Sequence, residues 1–330
     1  MRNKKKLPVE NTFAPIKIAI LGAGEIAQKV YLPLLLTWPT VEIVGLYSRS
    51  KETVDHIAMR WQLPFTTTSL DDLLERRPQA VFILTATPSH YELAMRALEA
   101  GLDVYVEKPA TRSSVETLQL AGMAHTAGLI FMVGFNRRFA PLYLQAKEIF
   151  AGRHIQLCIL EKHRTSPFHT SLFNNYLDDT IHQIDLLRFF CGNGIALHTS
   201  YEMRSGKLTG ALSLVSLTGG GMGVVATSLL AGSWQERLSL HGDGLSAEVS
   251  AFRELRVKYQ EREEVYGLDR PGRWMSDWEE RGFVGEVRHF FDCISERKSP
   301  LTDGVESART QELMEAMVRC AKAESYPANE

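Results

Sequence analysis

The stretch IKIAILGAGEIAQKVYLP, Ile16 to Pro33, decides the reading of the first half of this chain. An apolar, β-branched run ends in a glycine-rich turn, and a helical pattern follows at once. Gly22, Gly24 and Ala27 stand in the G-x-G-x-x-A spacing. In a strand–turn–helix context each position has a mechanical reason. Gly22 permits the tight turn, Gly24 lets the backbone approach a pyrophosphate, and Ala27 allows close packing of helix on sheet. Glu25 and Ile26 open the helix, whose N-terminal amides face an anion. The competing reading is a glycine-rich turn with no ligand. The spacing alone is weak evidence, and its placement directly after an apolar strand is what favours a dinucleotide.

Working outward, short apolar runs alternate with helical patterns as far as Phe135: VEIVGLYS, AVFILTAT, DVYVEKP and LIFMVGF read as strands, with HYELAMRALEAG and SVETLQLAGMAHTAG as helices between them. Strands this apolar are buried on both faces, as in a parallel sheet covered by helices. The expected fold is therefore an α/β Rossmann domain over residues 16–137, preceded by a flexible basic tail over 1–15. The second strand ends in Ser48-Arg49 rather than a carboxylate. A ribose 2'-phosphate suits that pair, so NADP is preferred over NAD, although an arginine here can also stack on adenine and accept both.

After residue 137 the alternation fails. Strand-like runs separated by GGGMG and HGDG predict an α+β domain, residues 138–330, with a large, mostly antiparallel, open-faced sheet. The stretch 274–298 reads as one helix, with Trp274, Trp278 and Phe283 as core or interface residues. The run around SARTQELMEAMVRC reads as a final helix, with packing back on the first domain left open. An open sheet face needs a cover, which predicts a homo-oligomer, dimer or tetramer. A net charge of -2 gives no polyanion-binding surface, and no run of apolar residues is long enough for a membrane span, so neither nucleic acid nor membrane is an expected partner. Four scattered cysteines without a CxxC pair fit a reduced, cytoplasmic protein.

The stretch LDDTIHQID, Leu177 to Asp185, places Asp178, His182 and Asp185 on one helix face. With Asp178 or Asp179 as a helix cap, His182 falls in or near the first turn, where the dipole disfavours an imidazolium. A neutral imidazole can accept a proton near pH 7, whereas Asp178 one turn earlier favours the charged form, so the sequence leaves the net direction open. Lys108, at the end of a parallel strand, points to the crevice where dinucleotides bind, and its ammonium can stabilise alkoxide charge. The plain alternative makes Asp178 a cap, His182 a half-buried helix residue and Lys108 a salt-bridge partner of Glu107 or Asp178. No metal is expected: His163, His169, His182 and Asp178 lack ligand spacing.

Taken together, IAILGAGEIAQKVYLP, TATPSHYELAMRALEAGLDVYVEKP, GFNRRFAP and LDDTIHQIDLLRFFCG resemble the Gfo/Idh/MocA oxidoreductases, the glucose–fructose oxidoreductase and inositol dehydrogenase group, and most resemble its MviM-like branch. The resemblance spans most of residues 16–325. It implies that Lys108, His182 and Asp178 are catalytic, with Lys108 followed by a cis proline, Pro109. It implies cofactor contacts from Gly22, Gly24, Glu25, Ile26, Ala27, Ser48, Arg49, Thr85, Thr87, Pro88, His90, Glu107 and Lys108. Arg137, Asn175, Asp178 and Thr180 are expected on the substrate side, and Asp185 in support. The implied activity is NAD(P)-linked hydride transfer between nicotinamide C4 and a secondary alcohol or ketone of a sugar, polyol or related small molecule. Two other classes remain as readings: a non-catalytic NADP-binding sensor, and redox-neutral, NAD-assisted elimination, epimerisation or glycoside cleavage. Two departures fall near the expected substrate: Thr180 replaces the usual glycine of D-x-G-x-H, and Phe173-Asn174-Asn175-Tyr176 replaces a run of glycines.

Overall fold

A computed structural model describes residues 14–267 and 274–323; most of the expected basic tail lies outside the described residues. The chain divides into two compact units, Met1–Leu84 and Thr85–Glu330.

In the first unit, β1 (Ile16–Leu21), β2 (Val41–Tyr47), β3 (Thr66–Thr67) and β4 (Ala80–Ile83) are parallel, in the order β3-β2-β1-β4. Residues 18–21 of β1 and all of β4 are buried, as expected for strands covered on both faces. The helix after β1 contains a π segment, Ala27–Tyr31, in which the N–H of Leu32 reaches back to the carbonyl of Ala27. Pro33 supplies the reason. It has no N–H for the carbonyl four residues earlier, and its ring needs the room that a wider turn provides.

The second unit opens with a parallel pair, β5 (Asp103–Glu107) and β6 (Phe131–Gly134), again fully buried. The Rossmann-type parallel pattern expected of the N-terminal half is present. The compact units nevertheless divide at Leu84, whereas the sequence changes character near residue 137. The long helix Gly304–Arg319 packs on Ser114–Ala127, and Glu315 and Gln311 accept hydrogen bonds from Ser114 and Thr117. Thr302 donates to the carbonyl of Val133 on β6. These bonds tie residues 85–137 to the C-terminal half.

The remaining strands are β7 (Leu157–His163), β8 (Gly194–Arg204), β9 (Lys207–Leu217), β10 (Met222–Ser228), β11 (Gln235–Gly242), β12 (Leu245–Ser250), β13 (Glu254–Tyr259), β14 (Arg262–Gly267) and β15 (Ala321–Ala323). They form one mixed, mostly antiparallel sheet in the order β14-β13-β12-β11-β7-β10-β9-β8-β15. Alternation assigns its faces. Cys158, Leu160 and Lys162 of β7 are buried toward the helix Ile181–Cys191, while Leu157, Ile159 and Glu161 point the other way. On that second face Ile159, Val224 and Leu214 stand side by side across β7, β10 and β9.

Residues 274–298 are not one helix. A short helix, Asp277–Glu280, is separated from Phe283–Glu296 by Gly282 at φ +87°. A Cβ at Gly282 would lie 2.1 Å from the carbonyl oxygen of Asn136, so the break brings two backbones together. Trp274, expected as a core or interface residue, is 97% exposed.

Candidate active site

In the first unit the glycine-rich turn has the geometry that a pyrophosphate needs. Gly22 adopts φ +105° and donates its N–H to the carbonyl of Tyr47. The protein leaves space at Gly24, where an added Cβ would meet only the carbonyl of Leu84, at 3.8 Å. Ala27 is fully buried against the sheet, while Glu25 is exposed and paired with Lys29. Ser48 follows β2, and Arg49 is exposed beside Ser50, which caps the helix Lys51–Trp61.

The second unit holds the chemistry-bearing residues. Thr85, Thr87 and Pro88 precede the helix His90–Glu99. His90 is buried, with Nδ1 2.8 Å from the carbonyl of Pro109 and Nε2 2.9 Å from that of Thr85. Both ring nitrogens are thus engaged with main chain, and the ring braces the turn after β5. His90, expected among the cofactor contacts, here has its ring bonded to the main chain on both sides. The Lys108–Pro109 peptide is cis. The Glu107 carboxylate turns back to accept the N–H of Lys108 at 3.0 Å. The Lys108 ammonium donates to the carbonyl of Asp178 at 2.6 Å.

The helix carrying LDDTIHQID starts earlier than the sequence suggests. Ser171 caps it, Leu172–Asn175 forms the first turn, and a π segment, Tyr176–Thr180, runs into Ile181–Cys191. Neither aspartate is a cap, and His182 lies in the interior of a helix, away from the end where the dipole acts. The wider π turn tilts its carbonyls and leaves them able to take a second donor. Two lysines do so on successive residues: Lys108 on Asp178, and Lys162 on Asp179 at 2.9 Å.

The two aspartates have opposite settings. The Asp178 side chain is exposed. Asp179 is 5% exposed, pairs with Lys162 at 2.7 Å and accepts from Arg164 Nε at 2.9 Å. Although burial opposes ionisation, these two cations hold the Asp179 carboxyl well below the usual carboxylate range. Arg137, expected on the substrate side, donates to both oxygens of Glu236, which also takes Gln183 Nε2 at 3.2 Å. Lys162 lies between Asp179 and Glu236, and burial pushes its pKa down to about 8 despite those two acids. Asp185 pairs with Arg138 at 2.7 Å and accepts from Thr310, joining two helices.

Sequence reading missed Lys162, Glu236, Arg164 and Asp179 as a group. The available signal was strand phase. Cys158 and Leu160 are apolar and point inward, so Lys162 must also point inward, and a buried lysine needs a carboxylate.

His182 is 7% exposed. Its ring stands at 87° to Phe135, and its Nδ1 is buried with no hydrogen-bond partner. Burial is the main cause holding its pKa well below the ordinary imidazole range, reinforced by Arg137, Lys108, Lys162 and Arg164. The ring is therefore neutral at pH 7. Thr180 is fully buried and donates to Asn175 Oδ1 at 2.9 Å, while Asn175 Nδ2 has no partner. The hydroxyl that replaces the usual glycine is therefore spent within the helix. Among the described residues, no group of His, Cys, Asp or Glu side chains is arranged to hold a metal ion.

Residues 16–135 match the family model described as an oxidoreductase family with an NAD-binding Rossmann fold, GFO_IDH_MocA. The chain is 33% identical over 318 residues to YceM of Salmonella typhimurium, whose name places it among oxidoreductases, covering 94% of this chain and 99% of that one. The chain belongs to the Gfo/Idh/MocA oxidoreductase family. A Bacillus subtilis relative, scyllo-inositol 2-dehydrogenase (NAD(+)), is 24% identical, covering 88% of this chain and 90% of its own. The crystal structure of the MviM dehydrogenase from Clostridium difficile superposes with a TM-score of 0.84 at 24% identity, over 92% of this chain and 99% of that one, so it shares the fold. The protein is thus an NAD(P)-dependent Gfo/Idh/MocA oxidoreductase of the class acting on CH–OH donors.

Proposed function

We propose that this Gfo/Idh/MocA member moves a hydride between nicotinamide C4 and a secondary alcohol or ketone of a sugar or polyol. The observation that carries the reading is the pairing, around one π turn, of a lysine ammonium held on the Asp178 carbonyl with a neutral, buried His182 whose Nδ1 is unpartnered. Gly22, Gly24 and the helix beginning at Glu25 would hold the pyrophosphate of the dinucleotide. Ser48 and the exposed Arg49 favour a 2'-phosphate, hence NADP over NAD. When bound, the nicotinamide supplies the hydride acceptor or donor. His182 takes the hydroxyl proton as the carbinol is oxidised and returns it in reduction. The Lys108 ammonium donates to the reacting oxygen and stabilises alkoxide charge, while the Asp178 carbonyl fixes where that ammonium sits.

The test is absorbance at 340 nm over a panel of polyols, sugars and ketones with each cofactor, for the wild type, Lys108→Ala and His182→Ala. Turnover by the wild type and loss of at least about 100-fold in either variant is expected. Tight NADPH binding with no turnover on any member would instead favour a nucleotide-binding sensor. Product formation with no net absorbance change would favour the redox-neutral class.

The protein further acts as a homo-oligomer through the open face of its nine-stranded sheet. The support is the apolar row Ile159–Val224–Leu214, with the exposed Met222, Leu212 and Ile195 on the same sheet. Val224→Glu is expected to shift the mass measured by light scattering to that of a monomer. A wild type that is already monomeric counts against this assembly. The four free cysteines support a cytoplasmic setting.

A further inference from the structure

Among the described residues, four side chains between 169 and 183 carry a buried polar atom with no hydrogen-bond partner: His169 Nε2, Asn175 Nδ2, His182 Nδ1 and Gln183 Oε1. Buried polar atoms are nearly always paired, so a cluster of unpaired ones marks a place suited to a polar ligand. Three of the four sit on the helix that carries the proposed chemistry. The fourth, His169, lies on the polar loop before it and has no role so far.

The loop holds His169 in a defined pose. Its carbonyl accepts the N–H of Leu208 at 3.0 Å, which docks the loop at the start of β9. The Phe168 ring lies 4.0 Å from the imidazole and tilted at 40°, which limits the plane of the ring. Phe168 is 54% exposed and His169 only 7%, so the loop turns its aromatic outward and its imidazole inward. Lys108 and Arg164 lie within electrostatic reach of both His169 and His182. Asp178 and Asp179 are within the same electrostatic reach of His169.

We propose that His169 contacts the substrate, its Nε2 binding a hydroxyl of a polyol or sugar next to the carbon that reacts at Lys108 and His182. The chemistry favours a hydroxyl over an anion. A neutral imidazole nitrogen is a donor or an acceptor according to tautomer, and a hydroxyl satisfies either. The neighbouring Asp178 and Asp179 carboxylates oppose a negatively charged group at this spot. Asn175 Nδ2, a pure donor, offers a second hydroxyl contact on the same stretch. The assignment rests on the polyol reading above, and it adds the residue that selects the substrate.

The test measures binding separately from turnover. Myo-inositol and D-glucose are titrated calorimetrically into protein saturated with NADPH, for the wild type, His169→Ala and His169→Gln. At least one of the two is expected to bind the wild type, and His169→Ala to weaken it by about 10–100-fold. His169→Gln, which keeps a donor and an acceptor, is expected to restore most of the loss, with NADPH affinity unchanged in both variants. In the wild type, the ¹⁵N signal of His169 Nε2 should shift on addition of the bound polyol. Unchanged polyol affinity in His169→Ala, a parallel loss of NADPH affinity, or no binding of either compound to the wild type would each overturn the assignment. If polyol binding depends on His169 but no polyol changes the absorbance at 340 nm, the assignment stands and the hydride-transfer reading fails.

Discussion

His182 shows how one side chain takes its chemistry from its surroundings. The sequence placed it in or near a helix start, with a dipole disfavouring its charged form and Asp178 favouring it. The structure keeps it neutral by burial and by a ring of cations, with no dipole needed. The consequence is kinetic. If His182 is the base, the acid limb of kcat/KM for alcohol oxidation lies well below pH 6.5. A limb at the ordinary imidazole value would refute a neutral, cation-surrounded base. Lys162 is one of those cations and lies between Asp179 and Glu236. Lys162→Met leaves both acids with one fewer partner, and about 3–5 kcal/mol of stability should be lost in urea unfolding. The same substitution removes a cation facing His182, so the acid limb should move up toward 6.5. Either result alone separates a structural from an electrostatic role.

Among the elements, the two π turns and the Gly282 break are where pattern reading and structure part. Pro33 is a visible cause for the first π turn. The second, Tyr176–Thr180, has no such marker, and its two consecutive carbonyls meet lysines from separate strands. Periodicity saw the helix but not its start at Ser171, because Leu172–Asn175 reads as polar loop. Gly282 ends one helix and begins another because its bare Cα lies against the Asn136 carbonyl. Gly282→Ala meets that carbonyl and also demands positive φ, so a loss of at least about 2 kcal/mol is expected. Calorimetric unfolding decides it. A variant as stable as the wild type would show that the joint is loose.

For the whole molecule, acid sensitivity follows from four histidines. His90, His169, His182 and His289 all have pKa values below the ordinary one, with burial as the first cause in each. The unfolded chain takes up protons near pH 6.5, and the folded chain does so only at lower pH. Their contribution to stability is therefore complete above about 6.5 and is lost as pH falls below it. Tm should drop between pH 7.5 and pH 5. Asp179 and Glu236, held low by their cations, add a separate loss only below about pH 4. A Tm that stays flat from pH 7.5 to 5 would contradict the burial of these rings. The sequence by itself determined the parallel strands, the glycine-rich turn and the open antiparallel sheet, because these rest on local periodicity and on turns that only glycine permits; the family was legible through a resemblance carried by four motif blocks. Tertiary structure alone decided which aspartate is buried, that Arg137 serves Glu236, that Asp185 serves Arg138, and that His169 turns inward. Those outcomes depend on which side chains meet across distant strands and loops, and on the desolvation that makes each buried charge find a partner.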